Sequence, residues 1–150
     1  MTDIDRLNRL ILELFRLNGV LLATGDALVA PFLLTSARWQ VMGALAFAGT
    51  PLPVAHIARN MGLTRQGVQR LVNEMAAAGL VELADNPHHS RAKLVRLTPA
   101  GEAAYAAANA AWKPLGEAAC ADLDAAALEA ATATLNHLRR HFDRGPADGH

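Results

Sequence analysis

Five side chains between positions 65 and 73, namely Arg65, Gln66, Gln69, Arg70 and Asn73, are of the types that read the edges of base pairs. An arginine offers a two-pronged donor to guanine O6 and N7, and a glutamine or asparagine matches adenine N6 and N7. That chemistry requires the side chains to share one outward face. The interleaved Val68, Leu71, Val72 and Met75 recur at helical spacing and define the opposite, buried face. No carboxylate joins the outward set before Glu74, whereas a face that serves only solubility mixes both signs.

The helix that must carry these residues is predicted to be capped by Thr64, to run to about Ala78 and to stop at Gly79, with Leu80 placed to touch Met75 in a Schellman-type close. A shorter helix over Pro53 to Met61 precedes it, with Pro53 near its first position and Gly62 at its end. Two helices joined this way need a small residue where they cross, a turn residue able to take positive φ, and apolar anchors beyond. Ala58, Gly62, Val68 and Leu71 meet those needs in register, and Ile57, Met61 and Leu63 are expected to complete the apolar wedge under the turn. This is the pattern of a helix-turn-helix.

After Gly79 the hydrophobic period shortens from 3.6 to 2. Val81 and Leu83 alternate with Glu82 and Ala84, and Val95 and Leu97 alternate with Leu94, Arg96 and Thr98, so two short strands are predicted. The polar stretch Asp85 to Arg91 joins them and is long enough to project as a wing. Arg91 and Lys93 can then enter a minor groove or hold phosphate.

Charge agrees with this placement. The chain is neutral overall, with 14 Lys+Arg against 14 Asp+Glu. Between His56 and Thr98, however, six basic residues (Arg59, Arg65, Arg70, Arg91, Lys93, Arg96) face three acidic ones (Glu74, Glu82, Asp85), a local excess of three positive charges. From Pro99 onward the balance reverses, with four basic residues and seven acidic. A module that meets phosphate and a remainder that does not would carry such a division.

Apolar stripes flank the module. Leu7, Ile11, Leu14, Asn18 and Leu21 mark a long amphipathic helix from about Asp3 to Val29. Leu128, Ala131, Leu135, Leu138 and Phe142 mark another after Asp124, a candidate N-cap. The alanine-dense stretch Ala103 to Ala121 is helical by propensity, and Pro114 is expected to kink or interrupt it. Two stripes around so small a module are hard to satisfy internally, which points to a homodimer interface built from both ends. The tail from Gly145 to His150, rich in Gly, Pro and Asp, is expected to fray.

Other chemistries find less footing. No P-loop, G-x-S-x-G or GxGxxG precedes a helix, so an enzyme is not expected, and neither is a cofactor. His137 and His141 share a helix face as a metal pair would, but no Cys or carboxylate cluster completes a site. Cys120 is the only cysteine; its neighbours Ala118, Ala119 and Ala121 supply no cation to activate it, and burial is the expected role. The absence of a disulfide framework, a signal peptide or a membrane span makes the cytoplasm the expected compartment.

The segments LTSARWQVMGAL (34 to 45), VAHIARNMGLTRQGVQRLVNEMAAAGLV (54 to 81) and NPHHSRAKLVRLTPAGEAAY (86 to 105) resemble the multiple-antibiotic-resistance regulator, or MarR, family. In the third segment Thr98 caps the following helix and Pro99 starts it. The resemblance implies a mainly α fold with a small β-hairpin wing, in which residues 34–99 form the winged helix-turn-helix. Residues 1–33 and 100–144 would be helical dimerisation arms of the same single domain. It further implies a homodimer on near-palindromic double-stranded DNA, most simply a repressor, with Thr64, Arg65, Gln66, Gln69 and Arg70 in the major groove and Arg91 at the wing tip. The family usually has an acidic brace two places before the wing arginine, and His89 stands there instead. His89 is then expected to add positive charge to the wing at low pH. Family members commonly release DNA when a small aromatic or phenolic ligand enters a cleft between the dimer helices and the DNA-binding lobe; Phe15, Phe32, Trp39 and Met42 are candidates to line it. The alternatives are a winged-helix dimeric scaffold that binds a protein partner, or a metal- or redox-responsive regulator.

Overall fold

The computed structural model describes residues 1–144, so the expectation of a frayed tail at Gly145 to His150 lies outside the described residues. The chain forms two compact units, Met1–Trp112 and a second that begins at Lys113.

The first unit opens with α1 (Asp3–Val29), whose first turn is closed by a capping box between Thr2 and Asp5. The hydrogen bonds that Asp5 accepts from the side chain and backbone of Thr2 hold its carboxyl below the usual carboxylate value. A single 3-10 turn, Ala30–Phe32, leads through Leu33 to α2 (Ser36–Ala48), capped by Thr35. The corner is tight. The Ser36 hydroxyl donates to the carbonyl of Leu22 at 2.7 Å, and the Ser36 amide donates to the Asp26 carboxylate at 2.7 Å. A β-carbon on Gly25 would collide with that hydroxyl.

Two residues, Leu52–Pro53, then form β1, and α3 (Val54–Met61) begins directly after them. Pro53 therefore caps α3 instead of occupying its first turn, because its extended backbone (ψ 152°) is spent on pairing with Leu94. Gly62 ends α3 at φ 64°, and the amide of Leu63 reaches back to the carbonyl of Ala58 at 3.0 Å. That bond turns the Leu63 side chain outward, so Leu63 is exposed and the wedge beneath the turn is made by Ile57, Ala58 and Met61 without it.

Helix α4 (Arg65–Ala77) follows, with its N-terminus capped by Thr64. Its end closes as a Schellman motif, with Gly79 at φ 76° and the Leu80 amide donating to the Met75 carbonyl at 3.0 Å. Strands β2 (Val81–Ala84) and β3 (Leu94–Leu97) form the expected hairpin, and β1 adds a third strand on the far side of β3, giving the order β1-β3-β2. Leu83, expected to point inward by alternation, is exposed, since it faces the cleft between hairpin and α4 and not the core.

The core joins Val29, Val41, Met42 and Leu45 with Ile57, Val68, Val72, Met75, Val81, Val95 and Ala108. Helix α5 (Pro99–Cys120) enters this core at its start and passes out of the first unit, while α6 (Ala125–Asp143), capped by Asp124, belongs to the second. Pro114 does not interrupt α5. Its missing N–H removes one ladder bond, a cost of about 3 kcal/mol, and the surrounding alanines have the highest helix propensity with which to offset it. Cys120, expected to be buried, is exposed, because it ends α5 in a stretch whose faces none of the described residues covers. Leucines of α1 remain open along most of its length, and α6 buries none of its residues. No single helix among the described residues is long and apolar enough to cross a membrane.

Candidate nucleic-acid interface

The N-terminus of α4 is fixed first. The Thr64 hydroxyl accepts from the amide of Gly67 at 3.1 Å, and Val68, Val72 and Met75 anchor the helix with no surface exposed. Leu71 packs at the margin of the same core. The remaining side chains are thereby forced outward, and Arg65, Gln66, Gln69, Arg70 and Asn73 are all exposed.

Within that face the groups fall into two kinds. Gln69 donates its amide to the Asn73 side-chain oxygen at 2.9 Å, so the pair presents one free carbonyl and one free amide to the outside. Arg70 donates through Nε to Glu74 at 3.3 Å, and the other oxygen of Glu74 lies 3.8 Å from Arg38 on α2. Arg65 forms no ion pair among the described residues and stands in the first turn of the helix.

The wing is braced at its base. Asp85 and Lys93 form an ion pair across the hairpin, one step beyond the last register pair, Ala84 with Leu94. The hydrogen bond and charge of Lys93 hold the Asp85 carboxyl below the ordinary carboxylate value. Three rungs inward, Arg96 donates to Glu82 at 2.7 Å on the register pair Glu82 with Arg96. Both pairs join opposite charges at facing positions of the hairpin. Beyond the brace, His88, His89 and Arg91 are exposed at the tip, and Arg91 forms no ion pair among the described residues.

Wing and helix meet in one cleft of about 100 Å³, lined by Arg65 and Gln69 from α4, by Arg91 and Lys93 from the wing, and by Val54 and Leu83. Arg65 and Gln69 from α4 are thereby brought beside Arg91 and Lys93 of the wing, three cations and one amide around a single cleft. Sequence reasoning passed over Arg38, which reaches this face from α2 and carries no local signal, being 36 positions from Glu74 in the chain.

The four aromatic and sulfur candidates are spread more widely. Met42 is fully buried, Phe32 and Trp39 are half-buried against the core, and Phe15 is 69% exposed on α1. Trp39 donates its indole N–H to Asn109 at 3.0 Å and meets Trp112 edge-on, with ring centroids 6.1 Å apart. In the second unit His137 and His141 are exposed, and His141 packs edge-on against Phe142. No group of three or more potential metal-binding side chains occurs among the described residues.

Comparison with known proteins gives this arrangement a context. The sequence model of the MarR family matches residues 34–92. An uncharacterized protein of Mycobacterium tuberculosis is 35% identical over 136 residues, covering 91% of this chain and 92% of that one. Among solved structures, the transcriptional regulator BldR from Sulfolobus solfataricus superposes with a TM-score of 0.83 at 18% identity, covering 95% of this chain and all of its own. The M. tuberculosis regulator MosR in complex with DNA gives 0.72 at 20% identity, covering 87% and 96% of the two chains. CouR from Rhodococcus jostii, bound to p-coumaroyl-CoA, gives 0.69 at 22% identity, covering 84% and 88%.

Proposed function

Because the chain belongs to the MarR family of transcription regulators, we propose that it binds double-stranded DNA sequence-specifically as a homodimer and represses transcription from the bound site. The observation that carries this reading is the cleft in which Arg65 and Gln69 of α4 meet Arg91 and Lys93 of the wing. In the proposed complex the face from Thr64 to Asn73 enters the major groove, and His89, Arg91 and Lys93 follow the adjacent backbone or minor groove. MosR, solved with DNA, supports the same use of the fold.

Dimerisation is proposed from the arms. Leu10, Leu14, Leu17 and Leu21 of α1 and Leu128, Leu135 and Phe142 of α6 are exposed in the single chain. Apolar surface on this scale is rarely left in water. Two copies would set their α4 helices in successive major grooves, which requires a near-palindromic site. Residues 1–33 and 100–144 then act as the dimerisation part of one domain, with residues 34–99 as the DNA-reading part. The protein works in the cytoplasm in this reading.

Release by a small aromatic or phenolic ligand completes the proposal. Phe32 and Trp39, half-buried beside the α1–α2 corner, are the aromatic surface for it, and CouR with its bound p-coumaroyl-CoA supports that class of control.

Selection of duplexes from a random pool tests the central reading. We expect an inverted repeat to be enriched and its affinity to fall about a hundredfold between 50 and 200 mM salt, as neutralising four phosphates would cause. A flat salt response without sequence preference would favour a scaffold that binds protein.

A further inference from the structure

We infer that Glu74 is a positioning residue for base reading: it holds the Arg70 guanidinium in one orientation and is itself held by Arg38. The inference rests on the DNA-reading role proposed above. Each oxygen of the Glu74 carboxylate takes a different arginine, Arg70 through Nε at 3.3 Å and Arg38 through Nη2 at 3.8 Å. Arg38 is anchored in turn, since its Nη1 donates to the carbonyl of Leu33 at 3.4 Å and its side chain is only 23% exposed. A fixed cation on α2 thus sets the carboxylate, and the carboxylate sets an arginine on the outward face of α4.

The consequence lies in which edge of Arg70 remains. With Nε engaged, the two terminal nitrogens are left side by side and outward, which is the edge that makes a two-pronged contact with guanine. The Arg70 side chain is 84% exposed. Such a side chain otherwise samples many rotamers, and ordering it at the moment of binding reduces affinity for the correct base. Surface ion pairs contribute little to folding stability, so a stabilising role does not account for the arrangement.

A carboxylate at a DNA-facing surface also repels phosphate. Two roles therefore predict opposite signs. If Glu74 acts only as a charge, neutralising it tightens binding to every duplex and leaves preference unchanged. If it positions Arg70, neutralising it weakens discrimination while binding to unrelated DNA holds or rises.

The test uses the full-length protein, the duplex it selects from a random pool, and an unrelated duplex of the same length. In Glu74→Gln we expect the preference for the selected duplex to fall about tenfold, with an unchanged melting temperature. Arg70→Ala is expected to show the same loss, and the double variant no more than either. In the free protein, the Arg70 Nε–H resonance should exchange slowly with water, and this protection should vanish in Glu74→Gln. Selection by the wild type with an unaltered preference in Glu74→Gln, additive losses, or an unprotected Arg70 Nε–H each overturns this inference alone. A wild-type protein that selects no duplex overturns the DNA-reading role and this inference with it.

Discussion

The hydroxyl of Thr98 donates to the carbonyl of Gly79 at 2.6 Å and accepts from the amide of Gly101 at 3.0 Å, so one side chain ties the end of the reading helix to the start of α5. The backbone adds a second tie, because the Thr98 amide donates to the Leu80 carbonyl at 3.1 Å. Gly101 is fitted to that carbonyl so closely that a β-carbon would collide with it.

Removing the Thr98 hydroxyl should therefore loosen the fold at the reading helix. Thr98→Val is expected to lower unfolding free energy by about 1–3 kcal/mol and Thr98→Ser by much less. Gly101→Ala should cost about 1–3 kcal/mol through overpacking against backbone. Urea denaturation of the three variants checks the order, and a Thr98→Val protein as stable as the wild type would contradict it.

Arg65 and Arg91 should separate into a base-reading and a phosphate-holding residue. Arg65→Ala is expected to cost about 1–3 kcal/mol on the selected duplex and to relax preference at one position. Arg91→Ala should weaken all duplexes alike and reduce the salt slope by about one per wing. Fluorescence anisotropy titrations at several salt concentrations distinguish the two patterns.

The Asp85–Lys93 brace should hold from pH 8 down to pH 6, because the hydrogen bond and charge of Lys93 keep the Asp85 carboxyl below its ordinary value. A carboxyl lowered on folding contributes stability above its unfolded pKa and loses it as pH falls through the folded one, so the brace weakens only in acid. Lys93→Met should return the Asp85 carboxyl toward its ordinary value. An NMR titration of that carboxyl carbon in the two proteins measures it, and identical curves would rule this out.

Leu33 adopts φ 58° while its side chain is 83% exposed. A left-handed backbone strains a leucine by about 1–2 kcal/mol. Leu33→Gly should raise the thermal unfolding midpoint if the strain is relieved without loss of packing. Calorimetry on the two proteins measures it directly.

How much of this was readable in advance follows the range of the interactions. Thr64, Gly62 and Gly79 act within a few residues, as does Thr98 where it caps α5, and each stands where local chemistry requires it. The buried face of α4 followed from spacing alone. Leu63 and Leu83 defeated the same pattern reasoning because their exposure depends on a turn bond and on a cleft formed by distant segments. β1 is two residues long and exists only by pairing with β3, so no period could announce it. The alanines around Cys120 supply no cation to activate it, but they cover nothing unless another surface meets them, so burial does not follow.

The position of β3 in the sheet has a mechanical meaning. Since β3 runs between β1 and β2, it is pinned on one side to the strand that starts α3 and on the other to the strand that follows α4. The root of the wing cannot tilt without dragging both helices of the DNA-reading pair. Compliance is left to the segment beyond the paired strands, from Asp85 to Lys93, which acts as a short fingertip on a stiff knuckle. Such a finger can follow small changes in the width of a groove while the reading helix keeps its depth and angle.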